Sequence, residues 1–171
     1  MAITRIGGAN AISGAITSSN LPTGSVIQAI QSSSETAVTN NASGYTDIMT
    51  ASITPTSTSN KILILVSVQL RAASSSQLDC WCGVRILRGS TTIWSPLGDS
   101  RPYEHGYSDS GGASNRQLRT RWSTEYLDSP ASISEQTYKL QLGAYTGRNA
   151  SANENNTDNG SSFITLMEIK G

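Results

Sequence analysis

The chain has 171 residues with 12 Lys plus Arg against 12 Asp plus Glu, and only 14% of its residues are charged. Small polar side chains carry the solubility instead, chiefly 28 Ser, 18 Thr and 11 Asn. Zero net charge excludes nucleic-acid binding driven by bulk cationic charge, no apolar run is long enough for a transmembrane helix, and two Cys exclude a disulfide-stapled scaffold.

Residues 1–24 form a leader distinct from the rest, which is assigned to one domain, 25–171. In the leader Ile3, Ile6, Ile12, Ile16 and Leu21 stand apart among Gly, Ala, Ser, Thr and Asn. Neither a helical nor a strand period is sustained, Gly7, Gly8 and Gly14 disfavour a helix, and Pro22 ends one. There is no continuous apolar stretch of the kind a secretory signal needs. Spaced aliphatic residues without local structure predict an extended arm, buried only against another subunit or another protein.

From Ser25 the period becomes two, the signature of strands. Residues 25–31 predict a short first strand, followed by a polar loop up to residue 45. Residues 45–54 place Met49, Ala51 and Ile53 on one side, and Pro55 opens a turn through Asn60, as in a hairpin. In 61–71 Ile62, Ile64, Val66, Val68 and Leu70 share one face, with Ser67, Gln69 and Arg71 on the other. In 77–88 Leu78, Cys80, Cys82, Val84 and Ile86 point inward, then Gly89 and Ser90 turn the chain into a strand at 91–95. Residues 96–115 predict a long loop. Residues 116–126 alternate Leu118, Thr120, Trp122, Thr124 and Tyr126 against Arg119, Arg121, Ser123 and Glu125. After a turn at Asp128–Pro130, residues 137–145 align Tyr138, Leu140 and Leu142. A polar loop at 146–161 precedes a last strand at 162–170, with Phe163, Met167 and Ile169 on one face around Thr165. About eight such strands and no helix predict an all-β, antiparallel, jelly-roll-like sandwich behind the arm.

Chemistry is sparse. The single His, His105, neighbours Glu104, Ser108 and Asp109, but a catalytic triad needs its members on rigid elements within hydrogen-bond reach, and these share one glycine-rich loop. Cys80 and Cys82, two apart on a strand, face the same way. They lack the further ligands of a zinc site and read as core thiols. The Asn- and Asp-rich stretch 153–160 lacks the bidentate Glu of a calcium loop. No catalytic residue, metal ligand or cofactor is therefore assigned, and the chain is expected not to be an enzyme. Arg101, Tyr103, His105 and Tyr107 are the ligand-contact candidates, because aromatic side chains on a loop are common binding anchors. Arg116, Arg119 and Arg121 form a small basic group balanced by Glu125.

The segments TGSVIQAIQ (23–31), SITPTSTSNKILILVSV (52–68), YLDSPASISEQTYKLQLGA (126–144) and SSFITLMEIKG (161–171) resemble small virion surface proteins and fibre-tip domains of tailed bacteriophages, in the style of those infecting marine bacteria and cyanobacteria. The resemblance implies a jelly-roll or tumour-necrosis-factor-like sandwich, assembled as a homotrimer. It implies a place on the virion surface after synthesis in the host bacterial cytoplasm. The short leader, against the long shaft of a fibre, favours a capsid decoration (a cement or head-fibre protein) or a short spike. Its arm would dock on a major capsid or tail protein. A tail-fibre receptor-binding tip that touches a host surface glycan is the alternative within that group. From another class, a carbohydrate-binding sandwich would stack sugars on Trp81, Trp94 or Trp122, and cleavage would call on carboxylates such as Asp99, Glu104 and Asp109.

Overall fold

The alternating segments become strands of two antiparallel sheets. The computed structural model describes residue 17 and residues 20–74, 79–96, 105–108, 116–144, 149–154 and 160–171. Its strands are β1 (Val26–Ser34), β2 (Val38–Asn40), β3 (Gly44–Ile53), β4 (Lys61–Ser74), β5 (Asp79–Arg88), β6 (Thr91–Trp94), β7 (His105–Ser108), β8 (Arg116–Asp128), β9 (Gln136–Ala144), β10 (Asn149–Ala152) and β11 (Ser162–Ile169). In the first sheet β11 lies between β1 and β4, β10 lies between β2 and β4, and β8 pairs the other side of β4. In the second the order is β3-β9-β5-β6, with β7 also on β5.

Several of these strands are pieces of one lane. β11 takes the first half of β4 and β10 its second half, both antiparallel, so β10 and β11 are two pieces of a single interrupted strand. β1 and β2 follow the same break on the other side. β6 and β7 pair opposite ends of β5, and β7 lies against β8. Counting each interrupted pair once leaves eight lanes, ordered 1-8-3-6 and 2-7-4-5. That is the jelly-roll order, two Greek keys wrapped into a sandwich.

The inward faces follow the predicted alternation. Ile62, Ile64, Val66, Val68 and Leu70 meet Cys80, Cys82, Val84 and Ile86, with Tyr138, Leu140 and Leu142, and all are buried. Ala51 and Ile53 of β3 join them, while a bulge between Asp47 and Met49 turns both Ile48 and Met49 inward. Leu166 is completely enclosed at the centre of the first sheet. Leu166→Ala should cost about 2–5 kcal/mol, as transfer and cavity terms add, read as a lower urea midpoint at unchanged slope.

Five expectations need correction. Residues 96–115 are not all loop, since β7 pairs with β5 from His105 to Ser108. Residues 146–161 likewise contain β10, and Val38–Asn40 forms β2 within a stretch read as loop. The turn Pro55–Asn60 does not close a hairpin, because it carries the chain from the second sheet (β3) to the first (β4). In β11 the face of Phe163, Met167 and Ile169 is the outer one. Ile164, Leu166 and the carboxylate of Glu168 point inward. The β5–β6 hairpin does form where expected, and Gly89 there adopts φ +58°, left-handed backbone that glycine enters without steric cost.

Asn153 holds the lane break. Its backbone is also left-handed (φ +55°), and it is buried. Its Nδ2 donates to the Thr36 carbonyl at 3.1 Å and its Oδ1 accepts from Ser162 Oγ at 2.6 Å. One side chain thereby pins the break in the β1–β2 lane to the break in the β10–β11 lane.

Candidate assembly surface

The two outer faces of the sandwich differ in chemistry. On the second sheet, cross-strand neighbours satisfy one another as polar pairs do on a solvated sheet. Lys139 Nζ lies 2.8 Å from Asp47 Oδ2, and Gln141 Nε2 donates to Asp47 Oδ1 at 2.6 Å. Arg85 Nε donates to Gln141 Oε1 at 2.8 Å, and the Arg85 guanidinium stacks 3.6 Å from the Tyr45 ring centroid. The Ser52 and Thr137 hydroxyls are 2.8 Å apart. Burial opposes ionisation of Asp47, but the hydrogen bonds from Lys139 and Gln141 and the charges of Lys139 and Arg85 hold its carboxyl below the usual carboxylate range.

The outer face of the first sheet is banded. The register sets Val26, Ile169 and Lys61 in one row. Ala29, Met167, Leu63 and Leu127 form the next, followed by Gln31, Thr165, Leu65 and Glu125. Val26 is 51% exposed, Leu127 47% and Leu65 37%, while Leu63, Met167 and Ile169 are half-buried by one another. Further along, Ser67, Gln69 and Arg71 face Ser123, Arg121 and Arg119. An aliphatic band thus crosses all four lanes at one end and gives way to a polar, cationic end. A contiguous apolar band on an outer face marks a contact surface.

The root of the leader lies at the apolar end. Gly24 N–H donates to the Lys170 carbonyl at 2.8 Å, and Lys170 N–H to the Ser25 carbonyl at 2.9 Å. Lys170 Nζ donates to the carbonyl of Leu21, which is half-buried. A cavity of about 260 Å³ opens beside this root, between Ile27, the Thr56–Asn60 turn and Lys170. Ile3, Ile6, Ile12 and Ile16, the rest of the expected arm, lie outside the described residues.

Among the ligand-contact candidates, Arg101 and Tyr103 lie outside the described residues, as do Asp99, Glu104 and Asp109. His105 and Tyr107 are brought onto β7, where their backbones pair with Cys82 and Cys80. Cys80 and Cys82 are buried and not bridged. Burial, with a contribution from Cys80, pushes the Cys82 thiol up to about 12, so it stays protonated at neutral pH and is a poor nucleophile. Trp122 points inward, with its ring centroid 5.3 Å from that of Trp94. Arg121 Nη1 is bonded to Ser67 Oγ at 3.1 Å and to the Ser161 carbonyl at 3.2 Å. Of the stretch 153–160, residues 155–159 lie outside the description. Glu154 pairs with Arg71 at 2.5 Å, and no three His, Cys, Asp or Glu side chains converge as metal ligands among the described residues.

Alternation does not single out the residues of the band, although the sequence carries a signal for them. ILILV at 62–66 is a continuous aliphatic run and not an alternation, and such a run marks a strand covered on both faces. Leu63 and Leu65 escape a period-two reading because Ile62, Ile64 and Val66 already account for a core. No protein-family model matches the chain, and no curated protein matches it.

Proposed function

We propose that this chain is a structural protein of the virion surface in tailed bacteriophages, a capsid decoration or short spike, seated by the apolar end of its first sheet together with the leader. The observation that carries the reading is the contrast between the outer faces: one pairs Asp47, Lys139, Gln141 and Arg85 with one another, the other leaves Val26, Leu65 and Leu127 in water. Support for the particle as partner comes from the resemblance of the four quoted segments and from the leader emerging beside the band. Each aliphatic side chain buried on docking contributes about 1.5–3 kcal/mol before ordering costs. The polar second sheet then faces the medium.

The test is attachment to undecorated particles. The double variant Leu63→Ser/Leu127→Ser removes apolar area from the outer face and leaves the core untouched. It is expected to bind at least about a hundredfold more weakly, the loss of roughly 2.7 kcal/mol or more, while its urea midpoint stays near that of the parent. Equal attachment of variant and parent would reject the band as the seat. Removal of residues 1–20 separately measures what the leader adds, and undiminished attachment would reject the arm as an anchor.

A further inference from the structure

The edges of the two sheets are not alike. β1 carries a register shift between Val26 and Gln28, and its lane breaks before the three-residue β2. β3, at one edge of the second sheet, is bulged between Asp47 and Met49. The opposite edge is made of β6 and β7, four residues each. Bulges, breaks and shortness are among the devices that stop an edge from pairing with another chain, as are edge charges. β8 has none of the first three, and its charges are of both signs, so they oppose a partner strand only where like charges meet. It runs 13 residues in unbroken register with β4 from Asp128 to Arg116, and among the described residues β4 is its only strand partner. A long, regular, unpaired edge is a template for a further strand.

The charges on that edge say which strand fits. Along the outward face of β8 run Arg119, Arg121, Ser123, Glu125 and Leu127, with Arg119, Arg121 and Glu125 all exposed. Arg121 and Glu125 stand two residues either side of Ser123. Glu125 has no hydrogen-bond or ion-pair partner among the described residues. In an antiparallel pair, residues directly opposite share a face, with Cα atoms about 4.5–5.5 Å apart. A second β8 laid antiparallel with Ser123 opposite Ser123 therefore sets each Arg121 opposite the other copy's Glu125, twice by symmetry. Centring on Arg121 or on Glu125 would set like charges opposite each other, which is destabilising. A shift of one residue along the chain, centring on Trp122, would set two indoles directly opposite although each already packs on Trp94 within its own sandwich.

We propose that β8 is a two-fold contact between copies of this chain, paired antiparallel about Ser123 so that Arg121 of each copy faces Glu125 of the other. The contact joins the two first sheets edge to edge into one continuous sheet, with the same strand contributed by both partners, as two-fold symmetry requires. It differs from the threefold assembly that the resemblance implies. It stands independently of the virion reading, since it concerns only what one copy presents to another.

Sedimentation of the full chain at low ionic strength, where exposed charges are least screened, gives the stoichiometry. A dimer is expected, and a monomer or a trimer under those conditions overturns the proposal. Arg121→Glu and Glu125→Arg should each raise the dimer dissociation constant about tenfold or more, by placing like charges opposite one another. The double exchange Arg121→Glu/Glu125→Arg should restore it, because the pair is rebuilt with reversed polarity. Failure of that rescue while both singles weaken association overturns the pairing, as does a larger loss from Arg119→Glu than from Arg121→Glu. Ser123→Cys gives a check that does not alter charge. The residue on the two-fold axis meets its own copy within disulfide reach, so diamide should convert the Ser123→Cys variant to a covalent dimer, whereas Arg119→Cys should not cross-link. Absence of a covalent dimer from Ser123→Cys overturns the register.

Discussion

Asp128→Ala is expected to destabilise the fold by about 3–5 kcal/mol, the range for removing one member of a buried ion pair. Asp128 closes β8 with a carboxylate whose side chain is 7% exposed. Arg88 Nη1 donates to both of its oxygens, at 2.8 and 2.7 Å, and Tyr138 Oη donates to Oδ2 at 2.8 Å. The triad ties the two sheets together, since β8 lies in the first and both β5 and β9 lie in the second. Burial, reinforced by the carboxylate, pushes the Tyr138 phenol far up, so it remains a donor at any ordinary pH. Truncating Asp128 leaves that hydroxyl enclosed without an acceptor, and leaves the guanidinium without its counter-charge. Arg88 keeps partial access to water, which places the loss toward the lower end of the range. Tyr138→Phe removes only one hydrogen bond and should cost about 1 kcal/mol. Urea unfolding of both variants checks the ordering. A loss for Asp128→Ala no greater than that for Tyr138→Phe would show that the ion pair does not hold the sheets together.

Glu168→Ala should be comparably damaging, at about 3 kcal/mol, since it strands several donors around one buried carboxylate. That carboxylate is completely enclosed in the first sheet and is satisfied without a cation. Oε1 accepts from Thr56 N–H at 2.6 Å, Thr56 Oγ1 at 2.8 Å and Asn60 Nδ2 at 2.6 Å, and Oε2 accepts from Gln28 Nε2 at 2.7 Å. These donors come from β1 and from the turn between β3 and β4, so one side chain fastens the crossover to the sheet. Each donor orphaned by the variant costs about 1–3 kcal/mol where it stays dry. Gln28 and Asn60 each retain another partner, in the Thr54 carbonyl and Thr56 Oγ1, which limits the total.

Glu168 also makes stability depend on pH. Burial opposes its ionisation, but the hydrogen bonds from Asn60, Gln28 and Thr56 outweigh that and hold the carboxyl below its ordinary value of 4.5. The unfolded chain then takes up the proton at a higher pH than the folded one. The contribution is fully present above about pH 4.5 and is lost as pH falls through the folded-state value. Acid titration of the urea midpoint should show this loss in the parent and a shallower slope in Glu168→Gln. Equal slopes in the two proteins would show that the carboxylate is not held in the way its partners indicate.

Much of the sandwich was legible because strand alternation is a local property. The inward set of β4 and the inward thiols of β5 follow from a period of two, which needs no knowledge of the neighbouring strand. The β5–β6 turn was legible for a similar reason, because Gly89 and Ser90 carry their own turn chemistry. Ile3, Ile6, Ile12 and Ile16 of the arm and two of the four contact candidates, Arg101 and Tyr103, lie outside the described residues. β10 is not legible because NASA at 149–152 has no large aliphatic residue. Its alanines are buried only because β4 and β2 flank them.

β11 shows where local reading stops. Phe163, Met167 and Ile169 compete with Ile164 and Leu166 for the core, and the charge on Glu168 points to its own face as the wet one. The opposite holds, because donors from positions 28, 56 and 60 converge on the carboxylate only after the jelly roll has closed. The amino-acid order alone therefore determined the strand class, the inward residues of the long strands and the core placement of the two cysteines. Tertiary structure decided which strands are neighbours, that a carboxylate belongs inside, and that the outward aliphatic residues of four lanes line up as one band. Alternation is written within each strand, whereas burial and hydrogen-bond satisfaction depend on segments that sequence distance keeps apart until folding.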